Sequence, residues 1–90
     1  MEGIRRDIVD SEWTTVDKGD YGKEYLDTDW HWYCRVPSNT LSNFGLCDLI
    51  KHEVVEHEDG TITVSPSILT WDGSGNQWHG FLERGIWREV

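Results

Sequence analysis

Ninety residues hold one domain, near the lower size limit for a chain that folds alone, and 17 acidic against 8 basic side chains give a formal charge of −9. That balance weighs against duplex nucleic acid and anionic membrane as partners, since a basic stripe supplies most of such affinity, and no apolar run approaches the ~18 residues of a membrane span. Two cysteines, Cys34 and Cys47, are too few for a disulfide framework, and no apolar leader follows Met1, so a cytoplasmic protein with reduced, buried thiols is expected.

Residues 1–29 read as a polar, acidic lead-in to a β core over 30–90, the whole forming one domain. Ile4, Ile8, Val9 and Trp13 fall close to one helical face, which allows a short amphipathic helix over 3–13. Residues 17–22 (Asp-Lys-Gly-Asp-Tyr-Gly) carry turn chemistry. Residues 30–36 are rich in aromatic side chains and stop at Pro37, the pattern of a strand closed by a turn. A polar loop follows over 37–45, and residues 46–50 form an apolar patch whose state the sequence leaves open.

Residues 53–58 and 61–65 flank Asp59-Gly60, the signature of a two-residue type I′ hairpin. In that register His57 faces Ile62 and Val55 faces Val64, and these four share the core face. Glu56, Glu58, Thr61 and Thr63 then face water. Pro66 ends this ladder, and residues 67–71 restart as a further strand. Residues 72–76 are a Gly-rich loop. A strand resumes from Gln77 to Glu83, and Arg84-Gly85 makes a second tight turn that sets Leu82 opposite Trp87. Short strands joined by glycine turns make the fold mainly β: a small antiparallel sheet, sandwich or open barrel, with at most one short N-terminal helix.

Six tryptophans are more than one small core should absorb, so some ring faces are expected to line a groove or an interface. Strand parity puts Trp30 and Trp32 on one face and His31 and Tyr33 on the other, and sets Trp78 against His79. Trp30, Trp32 and Trp87 are therefore expected in a core or subunit interface. Trp71, His31, Tyr33 and His79 are expected on the working surface. The predicted ligand site comprises His31, Tyr33, Arg35, Ser65, Ser67, Trp71, Trp78, His79 and Arg84. Rings there would stack on a flat ligand, imidazoles and hydroxyls would hydrogen-bond, and arginines would hold an anion. The competing reading makes Trp30, Trp32 and Trp78 plain core or interface anchors.

His31-x-x-Cys34 with Cys47 and His52 offers a nominal tetrahedral zinc set. Parity sends His31 and Cys34 to opposite faces of a strand, so neither metal nor other cofactor is expected. Ser65, Ser67 and Asp72 lie between the two Trp-His segments, yet there is no nucleophile elbow, paired-carboxylate spacing or His-x-Glu deaminase motif. No catalytic residue is assigned. Binding is expected rather than turnover, with a small His-dependent hydrolase as an alternative.

The ordered segments Glu58-Asp59-Gly60-Thr61-Ile62-Thr63, Ser65-Pro66-Ser67-Ile68, Trp78-His79-Gly80-Phe81 and Arg84-Gly85-Ile86-Trp87 carry a resemblance. The stretch resembles a diffuse family of uncharacterised small phage and bacterial proteins, sometimes mislabelled "ammonia monooxygenase". It covers residues 56–87, and about half the chain once Val36-Pro37-Ser38 and Gly45-Leu46-Cys47 are added. The resemblance implies a compact β fold and a phage origin, and it brings no reaction. Many members carry an upstream cysteine-rich knuckle that looks zinc-binding. Here Trp32-Tyr33-Cys34-Arg35 keeps a single cysteine, which weighs further against a metal. A small acidic phage protein with surplus aromatics is expected to act by binding. The expected function is a non-enzymatic, homo-oligomeric antagonist of host defence that sequesters a nucleotide-derived signal in the aromatic and histidine-lined site. An acidic inhibitor that binds a host protein is the alternative.

Overall fold

The structure, a computed structural model, describes residues 1–9, 12–41 and 45–90, leaving out the side chains of Glu12 and Trp13. The expected loop at 42–44 and the place of Trp13 on a helical face lie outside the described residues. The fold is mainly β, as expected. Strands β1 (Ile8–Val9), β2 (Tyr21–Leu26), β3 (Asp29–Arg35) and β4 (Leu46–Asp48) form one sheet in chain order. Strands β5 (Glu53–Glu56), β6 (Ile62–Trp71), β7 (Gln77–Glu83) and β8 (Ile86–Glu89) form a second, also in chain order. Every neighbouring pair is antiparallel except β1 and β2, which run parallel.

The two sheets pack face to face without closing into a barrel. Alternation sends Tyr21, Trp32, Cys34 and Cys47 from the first sheet toward Ile62, Val64, Ile68, Trp78, Leu82 and Trp87 of the second. Trp87 pins the two layers together. Its indole Nε1 donates to Gly19 O at 2.8 Å, and its ring meets Trp78 edge-on with centroids 5.4 Å apart.

The amphipathic helix expected over 3–13 does not form across residues 3–9. Arg6 N–H donates to Tyr21 O (2.7 Å), Tyr21 N–H donates to Ile4 O (3.1 Å), and Ile8 and Val9 pair with Glu24 and Tyr25. A helix of about a dozen residues is marginal in water, whereas the edge of β2 offers this segment backbone partners. Burial follows the strand: Ile8 is 2% exposed while Ile4 is 62% exposed, although both would share the buried face of a helix. A single 3-10 turn, Glu12–Thr15, is the helix that remains among the described residues. The supposed lead-in thus supplies two strands. Gly22 permits the approach, because a Cβ there would overlap the Arg6 carbonyl and lie 2.8 Å from Asp7 Oδ1. Residues 1–3 run along the other side of β8, with Gly3 N–H donating to Gly85 O and Trp87 N–H donating to Met1 O.

The hairpin at Asp59-Gly60 forms, but one residue out of the expected register. Val54 faces Val64 and Glu56 faces Ile62, so the loop holds three residues rather than two. The Asp59 carboxylate accepts from both the N–H and the hydroxyl of Thr61 (3.0 and 2.6 Å), and Gly60 turns left-handed at φ 87°. This is the three-residue loop with a glycine bulge. A slip of one residue inverts a strand, so Val55 is exposed and His57 bonds Thr63 Oγ1 at 2.7 Å on the outer face. Pro66 does not end a strand either. The chain continues as β6, and a register shift between Val64 and Ile68 absorbs the proline while keeping both side chains pointing inward. The turn at Arg84-Gly85 and the pairing of Leu82 with Trp87 are as expected.

Candidate binding site

The outward face of the first sheet is built by one parity set: Glu24 on β2, His31, Tyr33 and Arg35 on β3, and Leu46 and Asp48 on β4. Half of it is roofed. Ile8, Val16, Tyr33 and Leu46 form a second apolar cluster, and the Tyr33 hydroxyl donates to Arg6 O. Burial pushes the Tyr33 phenol well above its ordinary range. Arg35 Nη1 donates to Val16 O at 2.6 Å, tying the same roof down.

The other half is open. It forms a cavity of about 740 Å³ lined by Glu24, Leu26, Asp27, His31, Leu46, Cys47, Asp48 and Ile50. That volume lies within the range of small-ligand pockets, about 300–1,000 Å³. Glu24 and His31 are cross-strand partners within it. Glu24 is only 4% exposed, and its Oε2 has no hydrogen-bond partner among the described residues. Burial raises the Glu24 carboxyl above its ordinary value; His31 pulls it back and Asp48 raises it again. Among the described residues the lining therefore offers carboxyl groups, one imidazole and an apolar wall, with neither lysine nor arginine. Among the described residues no group of three or more His, Cys, Asp or Glu is placed to hold a metal ion. Of the four residues in the nominal zinc set, Cys34 and Cys47 face one another across β3 and β4, while His52 Nε2 lies 3.3 Å from Ser67 O.

The nine residues nominated from sequence do not converge. His31 reaches the cavity, whereas Tyr33 and Arg35 share its face but hold the roof. Ser67 and His79 meet at 2.8 Å on the outward face of the second sheet, on the far side of the sandwich from His31. Leu69 and Trp71 share that face and are 59% and 65% exposed. Phe81 lies there too, with the Arg88 guanidinium 4.5 Å above its ring. Trp78 is buried in the core. Ser65 is exposed at the β6 shift, and Arg84 lies at the hairpin end beside Glu56, His57, Glu58 and Asp59. Trp30, expected in a core or interface, is half exposed and packs on Tyr25 at 5.1 Å; Trp32 is partly buried beneath Arg5 and Lys23.

Sequence reasoning missed Glu24, Asp48 and the apolar wall. The available signal was the alternation of Tyr21, Lys23 and Tyr25 against Gly22, Glu24 and Leu26, closed by a turn at Asp27-Thr28. That turn has positive φ at both residues without a glycine to advertise it. No family model, curated protein or solved structure matches the chain.

Proposed function

We propose that this chain is a small binding protein whose first-sheet cavity takes an organic cation, a protonated amine or amidine carried on an apolar body. One observation carries the reading: Glu24 is a buried carboxyl among the residues that line the cavity, and its Oε2 is without a hydrogen-bond partner among the described residues. Leaving such a group unsatisfied costs about 1–3 kcal/mol, and a cationic donor entering the cavity would complete it. Asp27 and Asp48 add negative potential, while Leu26, Leu46 and Ile50 receive the apolar body. The same carboxyl groups repel phosphate, so an anionic nucleotide does not suit this cavity.

Calorimetric titration with benzamidine and with neutral benzamide tests the assignment. Benzamidine is expected to bind more tightly, and Glu24→Gln to weaken it about 10- to 100-fold, since a charge-assisted hydrogen bond contributes about 1.5–3 kcal/mol. Equal binding of the two probes, or an unchanged affinity in Glu24→Gln, would overturn it.

A second reading rests on exposed Trp71 beside Leu69 and the His79–Ser67 pair. A ring stacked on an open indole contributes about 1–3 kcal/mol per base. This face therefore suits the nucleotide-derived signal of host defence, and the phage origin and self-association expected from sequence belong with this reading. Cyclic di- and trinucleotides should then bind, and Trp71→Ala should weaken binding about 5- to 150-fold. No heat from any of them at micromolar protein would remove it. An acidic inhibitor of a host protein would instead show a complex that weakens steeply with salt.

A further inference from the structure

We propose that Cys34 and Cys47 form a dithiol that closes to a disulfide when the protein meets hydrogen peroxide, making the β3–β4 pair a site of reversible oxidation. The two residues are register partners, and both thiols are free. Leu49 N–H donates to Trp32 O and Val36 N–H to Gly45 O, each at 3.0 Å, which makes Cys34 and Cys47 a hydrogen-bonded pair of the ladder. In such a pair the Cα atoms stand about 5.5 Å apart, and a disulfide spans about 4.4–6.8 Å. Both side chains leave the sheet on the same face, so closure needs rotation about Cα–Cβ rather than movement of a strand.

The two thiols are unlike, which assigns their roles. Cys34 is fully buried, whereas Cys47 is partly exposed. Hydrogen bonds from Cys34 and from the Thr70 hydroxyl draw the Cys47 thiol below its ordinary value, against burial. The bond to Cys47, then burial, pushes Cys34 well above. Cys47 is the thiolate that meets the oxidant and Cys34 is the resolving thiol.

In the first step the Cys47 sulfur attacks one peroxide oxygen, the O–O bond breaks, and the departing hydroxide takes a proton to become water. Cys47 is then a sulfenic acid, oxidised by two electrons. In the second step the Cys34 sulfur attacks the Cys47 sulfur and the S–O bond breaks. Hydroxide leaves with the Cys34 proton as water. Two thiols and one peroxide thus give one disulfide and two waters.

The experiment exposes the folded chain to hydrogen peroxide, denatures it in iodoacetamide and measures the intact mass. The expected product has lost two hydrogens and takes no alkyl group, and dithiothreitol returns two alkylatable thiols. In Cys34→Ala, where no resolving thiol remains, Cys47 is expected to be captured by dimedone. Two alkylated thiols after peroxide, a covalent dimer, or an overoxidised Cys47 beside an alkylatable Cys34 would each overturn the proposal. The wild-type mass decides the matter by itself if Cys34→Ala fails to fold.

Discussion

Trp87→Ala is expected to remove a large part of the protein's stability at room temperature. The indole is 4% exposed, meets Trp78 edge-on and donates to Gly19 O, so its removal opens a large cavity between the sheets and orphans a buried carbonyl. Truncating a buried tryptophan costs about 3–5 kcal/mol, and the lost indole donor adds about 1–3 kcal/mol. A domain of this size has roughly 4–14 kcal/mol in total, at about 0.05–0.15 kcal/mol per residue. Trp87→Phe separates the two contributions in part, because it keeps a six-membered ring in the core and loses the donor with the smaller five-membered ring. Urea titration followed by near-ultraviolet circular dichroism should place Trp87→Phe between wild type and Trp87→Ala. A Trp87→Ala midpoint equal to that of wild type would show that the sheets are held elsewhere.

The opposite outcome is expected for Glu24→Leu: a more stable protein that no longer holds a cation. Burial is the main cause of the raised Glu24 carboxyl, with Asp48 adding to it and His31 opposing it. Between the ordinary carboxyl value of the unfolded chain and the raised value of the folded one, the folded state binds more protons. The stability contributed by neutral Glu24 is complete below that window and is lost as pH rises through it. A leucine side chain has nothing to ionise, so the advantage of Glu24→Leu over wild type should widen across the same window. Removing an unsatisfied buried polar group returns about 1–3 kcal/mol, and each kcal/mol moves the melting temperature by about 4–8 °C in a domain this small. Thermal melts of both proteins at pH 4 and pH 7 give the comparison. A gain of the same size at both pH values would assign it to packing alone, and no gain would mean that Glu24 is satisfied in solution. The pairing of higher stability with lost binding is the mark of a group kept for function.

The contrast between these two residues also explains what could be read from the sequence. Trp87 was legible because its strand alternates cleanly and Arg84-Gly85 fixes the turn, so a local pattern sets Leu82 opposite it. The same logic failed by one residue at Asp59-Gly60, where a side-chain carboxylate captured Thr61 and lengthened the loop. Tyr21–Leu26 does not announce itself as a strand, because Lys23, Glu24 and Gly22 dilute its apolar pattern and its turn lacks glycine. Losing β2 meant losing the site. His31 was visible as an imidazole on the face opposite two tryptophans, but the carboxyl that gives it chemical context arrives from a strand whose register only the folded sheet defines. Tyr33 and Arg35 shared the correct face, and parity alone could not tell that residues 4–9 and Val16 would cover them.

The seating of residues 1–3 along β8 bears on how the chain is made. The second sheet is a meander whose neighbours in space are neighbours in sequence, so each of its hairpins can close as soon as it is synthesised. Residues 1–3 have no such local partner. Gly3 waits for Gly85 and Met1 for Trp87, while Gly19 waits for the Trp87 indole. Residues made early are thus paired late, and a nascent chain that stalls short of Trp87 leaves them without their partners.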